Sequence, residues 1–406
     1  MPNGIFSRIK EKTDTMSIYL PYENVYYEKL ADFYRVAKFG AIAVLAIFVL
    51  LTTIICRNDL RAENFRYLFK YIDVDPASTS ANYKDIYYSA GSSSHFAFYK
   101  GDLVLAGDGK LAIYNISGKN ILSEELSSVN SVCDADGKYL VAYSPDGKNV
   151  SILNSFSKLY DLEYDYPVIS ASAGDDGSFT VITRDQTYRS AVYVYNSMFK
   201  LVYSVRSNEK YAASAAVSPD GKYAAFLSYS PSNGLYAREL VVRNISKDKE
   251  ELSVRTEGKL PIKTGFFEDG NLFLLCSDGI SFYDEKFKQT TSVSFGYPIQ
   301  FYRSFGGHIA VLTGETKAGA TLCMFDSEGN KKFTESFPFA VLDVQIIDDK
   351  IYLLAPNAVY CYDEKNVARA SFEGNVQKMY AFDDGNVMLC YADSTKLLKV
   401  SEFVNY

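Results

Sequence analysis

The side chains best suited to make contacts fall in two short segments. Arg184, Tyr188 and Arg189 stand in one, and Tyr229, Tyr236 and Arg238 in the next. Tyr and Arg dominate the energetics of protein interfaces, because each couples a large contact area to a directed polar group. Acidic pairs followed by glycine, Asp134-Ala135-Asp136-Gly137 and Asp175-Asp176-Gly177, resemble the start of calcium loops. A calcium loop continues with further oxygen ligands, whereas Lys138-Tyr139-Leu140 continues as a strand. These segments are therefore expected to be hairpin turns in which glycine supplies a positive φ.

Other chemistry is poorly supplied. His95 and His308 are the only histidines, and both fall in or beside expected strands. Cysteines at 56, 133, 276, 323, 361 and 390 form no CxxC pair, and most sit in apolar runs, so they are expected to be small buried packing residues. No GxSxG nucleophile elbow occurs, and the absence of tryptophan counts against quinoprotein and sialidase propellers. No catalytic residue, metal or cofactor is expected.

Composition narrows the class. With 48% hydrophobic and 22% charged residues, the 406-residue chain can bury a large core and is not compositionally disordered. The 42 basic and 49 acidic residues leave a net charge of -7, with no surplus to neutralise phosphates, so a nucleic-acid partner is not expected. An aromatic content of 15% suits strands.

The elements that must position these residues repeat. A tight turn recurs at Gly101, Gly137, Gly177, Gly221, Gly270, Gly307, Asp349 and Gly385, at intervals of 36, 40, 44, 49, 37, 42 and 36. An apolar strand follows each. A second landmark, a strand ending before Asn, Asp or Ser, recurs in phase at Asn115, Asn154, Asn196, Asn244, Asp284, Asp326, Asp363 and Ser401. The unit is therefore four antiparallel strands, A to D, and a four-stranded unit at this period is a propeller blade. The small-residue runs 169–173 and 212–217 suit innermost strands. The fold expected is an all-β, eight-bladed propeller over residues 83–406, with seven blades as the alternative. The last unit lacks its outermost strand, which residues 85–89 would supply while the third strand ends near Val404.

Ahead of the repeats, residues 39–56 carry no charge, long enough to cross a hydrocarbon core of roughly 30 Å. One N-terminal transmembrane helix is expected there. Residues 1–38 then form a cytoplasmic tail, in which residues 23–38 are either an amphipathic interfacial helix or the start of the membrane helix. Residues 57–82 form a juxtamembrane helix and linker. Arg8, Lys10, Lys12, Lys29, Arg35 and Lys38 before the span outnumber Arg57, Arg61, Arg66 and Lys70 after it, which places the propeller outside the cytoplasmic membrane.

Ser144-Pro145-Asp146-Gly147-Lys148 and Ser218-Pro219-Asp220-Gly221-Lys222 resemble the SPDGK-type repeats of WD-repeat and TolB-like propellers. The whole arrangement resembles an uncharacterised family of single-pass, membrane-anchored bacterial β-propeller proteins, a domain of unknown function that implies no catalytic residues. The expected function is a non-enzymatic binding or scaffolding module for a protein or envelope polymer. It would use Arg184, Tyr188, Arg189, Tyr229, Tyr236 and Arg238 on the B-to-C loops at 184–190 and 228–239, with a further extended loop at 313–321. The alternative is a glycan hydrolase or lyase using carboxylates at the channel mouth, for which a carboxylate with a raised pKa in one cluster is the sign to seek.

Overall fold

The computed structural model describes residues 25–55, 80–89, 95–126, 130–135, 137–155, 157–232, 235–258, 260–315, 319–347, 350–363 and 366–405. The chain divides into two compact units, Met1–Ile72 and Asp73–Tyr406.

In the first unit, helix α1 (Val25–Ile55) runs unbroken for 31 residues. The described segment before the uncharged run, from Val25, is thus helical and continuous with it. Phe39, Ile42, Val44, Leu45 and Ile47 are each more than half exposed. Among the described residues no helix is long and apolar enough to cross a membrane. Cys56 and residues 57–79 of the expected juxtamembrane helix and linker lie outside the described residues.

The second unit is a ring of eight antiparallel sheets. The inner strands of blades 1 to 8 are His95–Tyr99, Val132–Asp134, Val168–Ala173, Tyr211–Val217, Pro261–Phe266, Ile299–Phe305, Asp343–Ile347 and Lys378–Ala381. Each begins a meander that moves outward strand by strand. The turn landmarks have a direct cause: Asn115, Asn196, Asp284 and Asp326 each accept, through Oδ1, the amides two and four residues on. Such a side-chain turn closes the C-to-D hairpin without needing its neighbours. At Gly177, φ is +91° and a Cβ would lie 2.7 Å from the Tyr139 ring, so this A-to-B turn admits only glycine.

Eight apolar clusters fill the eight blade-to-blade contacts. In one, Phe273 and Phe282 of blade 5 meet Ile309 and Phe325 of blade 6. In another, Met388 and Cys390 of blade 8 meet Phe96, Leu103 and Leu105 of blade 1, which closes the ring at eight rather than seven. Each cluster removes apolar surface of two neighbouring wedges from water, which holds them together alongside the hydrogen bonds between their inner strands.

The termini depart from expectation in part. Residues 86–88 do lie against the third strand of blade 8 (Thr395–Leu398), but through one bridge, Tyr87 to Ser394, rather than a full ladder. The Tyr88 amide donates to Asp393 O at 3.0 Å and the Thr395 amide to Ile86 O at 2.9 Å. The chain end corrects the expectation of a strand reaching Val404. Val400–Glu402 is a 3-10 turn, and Val404–Asn405 pairs instead with the outer strand of blade 7 (Asn366–Ser371). The reason is local: Glu402 Oε1 accepts the Lys399 amide at 2.9 Å, and Asn386 Oδ1 accepts the Val400 amide at 2.7 Å, which turns the chain away.

Candidate functional site

The six interface residues expected from the sequence lie on the B-to-C face of blades 3 and 4, and three of them, Arg189, Tyr229 and Tyr236, are linked through Tyr211. The second, third and fourth strands of blade 4 (Tyr223–Ser232, Leu235–Asn244 and Lys249–Gly258) are ten residues each. Residues 228–239 are therefore a raised hairpin rather than the loop expected, because Tyr229 pairs with Arg238 and the ladder continues to Ser232 and Leu235. Its tip, residues 233–234, lies outside the described residues.

On this wall Tyr229 meets Tyr236 edge-on at 5.8 Å and stacks on Tyr211 at 5.4 Å. The Arg189 guanidinium lies 4.9 Å from the Tyr211 ring centre and donates to the Tyr211 hydroxyl. An unbroken row, Arg189–Tyr211–Tyr229–Tyr236, thus crosses from blade 3 to blade 4. Arg238 pairs with Asp278 of blade 5 at 3.0 Å, and Lys210 pairs with Glu239 beneath the row. Tyr236 stays 40% exposed, so the row presents aromatic surface to solvent.

The other two residues point elsewhere. Arg184 pairs with Asp146 of blade 2 at 3.1 Å, and the Tyr188 ring lies under Arg206. Tyr211, the centre of the row, was missed because it opens an inner strand of small residues and carries no loop signal. The third extended loop, with residues 316–318 outside the described set, borders a recess of about 490 Å³ between Pro298 and Leu342.

A second polar feature runs around the inner strands. Arg303 of blade 6 donates to Asp343 Oδ1 of blade 7 at 3.0 Å, and Lys378 of blade 8 donates to the same oxygen at 3.1 Å. The Asp343 side chain is only 3% exposed, and its Oδ2 is buried with no hydrogen-bond partner among the described residues. Burial lowers the Lys378 pKa, and Asp343 opposes that shift. His95 Nδ1 lies 3.6 Å from Cys133 Sγ of blade 2. Burial, with Lys378 and Arg303 adding, lowers the His95 pKa below that of an ordinary imidazole. Asp134 accepts from Ser172 Oγ at 2.9 Å and the Ala173 amide at 3.2 Å, a structural use of the first acidic segment. On the opposite wall the Thr264 amide donates to Ser214 Oγ at 3.2 Å, beside Lys263 of the same inner strand.

The A-to-B mouth is acidic. Asp175 has its pKa raised by desolvation and then by Glu268, Asp176 and Asp134. Among the described residues no trio of His, Cys, Asp or Glu is placed to hold a metal ion. The described cysteines are all free, with Cys133, Cys276 and Cys390 buried and Cys323 and Cys361 partly so.

An eight-sheet ring with a raised blade and a polar channel defines a β-propeller. Residues 76–400 match the model described as "Family of unknown function (DUF5711)", and the chain belongs to that family. No curated protein matches. Among solved structures, the C-terminal WD40 domain of Sif2 is similar at a TM-score of 0.55 and 11% identity, covering 77% of this chain and 96% of that one. BamB from Moraxella catarrhalis is similar at 0.50 and 11%, covering 79% and 99%. Such identities establish the shared propeller fold alone.

Proposed function

We propose that the propeller is a non-enzymatic binding or scaffolding module for a protein or envelope polymer. The observation that carries this reading is the Arg189–Tyr211–Tyr229–Tyr236 row, whose last two rings stand on a hairpin of two ten-residue strands. Rigid rings already ordered by stacking lose little entropy on contact, so they suit an interface. In the same reading, residues 39–56 anchor the chain in a bilayer with the N-terminus cytoplasmic and the propeller outside. The uncharged run, the uncovered apolar side chains of α1 and the basic excess before the run support it.

Pull-down from detergent-solubilised membranes tests the patch. Changing Tyr229 and Tyr236 to Ala should abolish recovery of a partner while the melting temperature moves by a few degrees at most; unchanged recovery would place the site elsewhere. Asp175 favours a second reading, a glycan hydrolase or lyase working at the acidic mouth, since a raised carboxyl is what a general acid needs. Release of reducing ends from envelope glycan, lost in Asp175→Asn, would support that reading over the first.

A further inference from the structure

The charged half of the inner ring is more than a clasp between blades. In a propeller the two faces of an inner strand are covered by neighbouring blades and its outer edge by the second strand, so whatever it exposes meets the channel. The Arg303 and Lys378 side chains keep 28% and 20% exposure there. A guanidinium carries five N–H groups and an ammonium three. Asp343 takes one from each, through a single oxygen. One carboxylate thus fixes two cations side by side, on strands of two different blades, with an excess of positive charge and donors left over.

We propose that Arg303 and Lys378 form a channel site for a small carboxylate- or phosphate-bearing molecule, with Asp343 setting the spacing of the two cations. Charge-assisted hydrogen bonds to such oxygens are strong and directional, and are stronger inside a channel than at an open surface. The depressed His95 pKa is consistent with a positive local potential, since both cations contribute to it. Asp134 is the competing carboxylate, and it is held to blade 3 by Ser172 and the Ala173 amide. The acidic A-to-B mouth around Asp175 and Glu268 repels anions, so entry is from the B-to-C face. The site shares no residue with the aromatic row and stands without it.

Titration of the detergent-solubilised full chain with inorganic phosphate, and separately with succinate, at constant ionic strength tests the proposal by calorimetry and thermal shift. One saturable site for either anion is expected, and the anion that saturates identifies the chemistry. Arg303→Gln and Lys378→Gln should each weaken binding by about tenfold or more. Asp343→Asn, which removes a competing negative charge, should tighten it. That opposite sign separates a ligand site from a structural triad, in which all three changes act alike. Arg303→Lys, which keeps the charge but loses the fork, should bind with intermediate affinity if Arg303→Gln fails to fold. The proposal is overturned if neither anion saturates beyond a chloride control, if the Gln variants bind as the unaltered chain does, or if Asp343→Asn weakens binding.

Discussion

Blades 4 and 8 are built from the same four-strand plan and differ in almost every dimension. Blade 4 has three strands of ten residues from one continuous stretch of chain, and they rise beyond its inner strand. Blade 8 has strands of four residues, and its outermost position is taken by residues 86–88, of which Ile86 meets Thr395, 309 positions away. The comparison separates two tasks. Extra height is added where the chain is local and closure is not at stake. Closure occurs in the smallest blade and depends on side chains more than on a ladder. Ile86 is 1% exposed and Tyr88 8%, both inside the core joining blades 8 and 1. Thr395, fully buried, receives the Ile86 amide at 3.0 Å and meets the Tyr83 hydroxyl at 2.7 Å. Burial raises the pKa of both Tyr83 and Tyr88, the mark of hydroxyls held away from water.

Unequal damage from matched deletions is therefore the largest effect expected. Removing residues 83–89 takes Ile86 and Tyr88 from their core and leaves Thr395 unpartnered, a loss of roughly 5 kcal/mol or more from burial alone. Removing residues 230–237 of blade 4 and joining the strands by Asn-Gly shortens a hairpin already beyond the inner strand, with an expected cost below about 2 kcal/mol. Thermal melts of the two truncated chains decide: if the first melts within a degree or two of the intact protein, the ring is closed by something other than this strand. Thr395→Val should fall between them, at about 1–3 kcal/mol, because it strands the Ile86 amide.

The contrast also shows what could be read in advance. The turns at Gly177 and Gly221, and the Asn and Asp residues before the C-to-D turns, are local devices, so their spacing announced blades, period and inner strands correctly. Residues 85–89 were legible as a closing strand because eight periods left one strand short. The shift at the C-terminus was not legible. Ser401 occupies the place of the Asn or Asp landmark but does not close the usual turn, and the contacts that redirect the chain come from Glu402 and, across the blade, Asn386. The site behaves likewise. Arg189, Tyr229 and Tyr236 were found from loop length and residue type, whereas Tyr211 joins them from the inner strand of blade 4, paired across the ladder with Tyr229 and met by Arg189 of blade 3. The Arg303–Asp343–Lys378 triad, spread over three blades, has no signature in any one repeat.

Acid should sharpen the comparison from the other side. The seam of blades 8, 1 and 2 carries His95, while the inner strands of blades 4 and 5 meet through the hydroxyls of Ser214 and Thr264 and their ion pair, Arg238 with Asp278, holds no histidine. A histidine whose folded pKa lies below the unfolded value binds fewer protons when folded. Its stabilisation is present above the ordinary value of 6.5 and is lost as pH falls from there toward the folded value. The loss is at most about 1.4 kcal/mol per pH unit. Melts between pH 7.5 and 5.5 should drop more steeply for the intact chain than for His95→Gln. Parallel curves would mean that the imidazole gains its proton as easily folded as unfolded.

The smallest effect is expected at the second place where a chain end adds to a blade. Val404–Asn405 lies on the outer strand of blade 7 much as residues 86–88 lie on blade 8, so by backbone pairing alone the two should matter alike. Their side chains say otherwise. Val404 is 70% exposed and joins no core, whereas Ile86 is 1% exposed. Two paired residues at a wet edge contribute little beyond the entropy of ordering them. Ending the chain after Phe403 should therefore shift stability by less than about 0.5 kcal/mol and leave the melt cooperative. A cost approaching that of removing residues 83–89 would mean that strand addition, not the buried Ile86 and Tyr88, is what closes the ring, and the distinction between the two ends would fail.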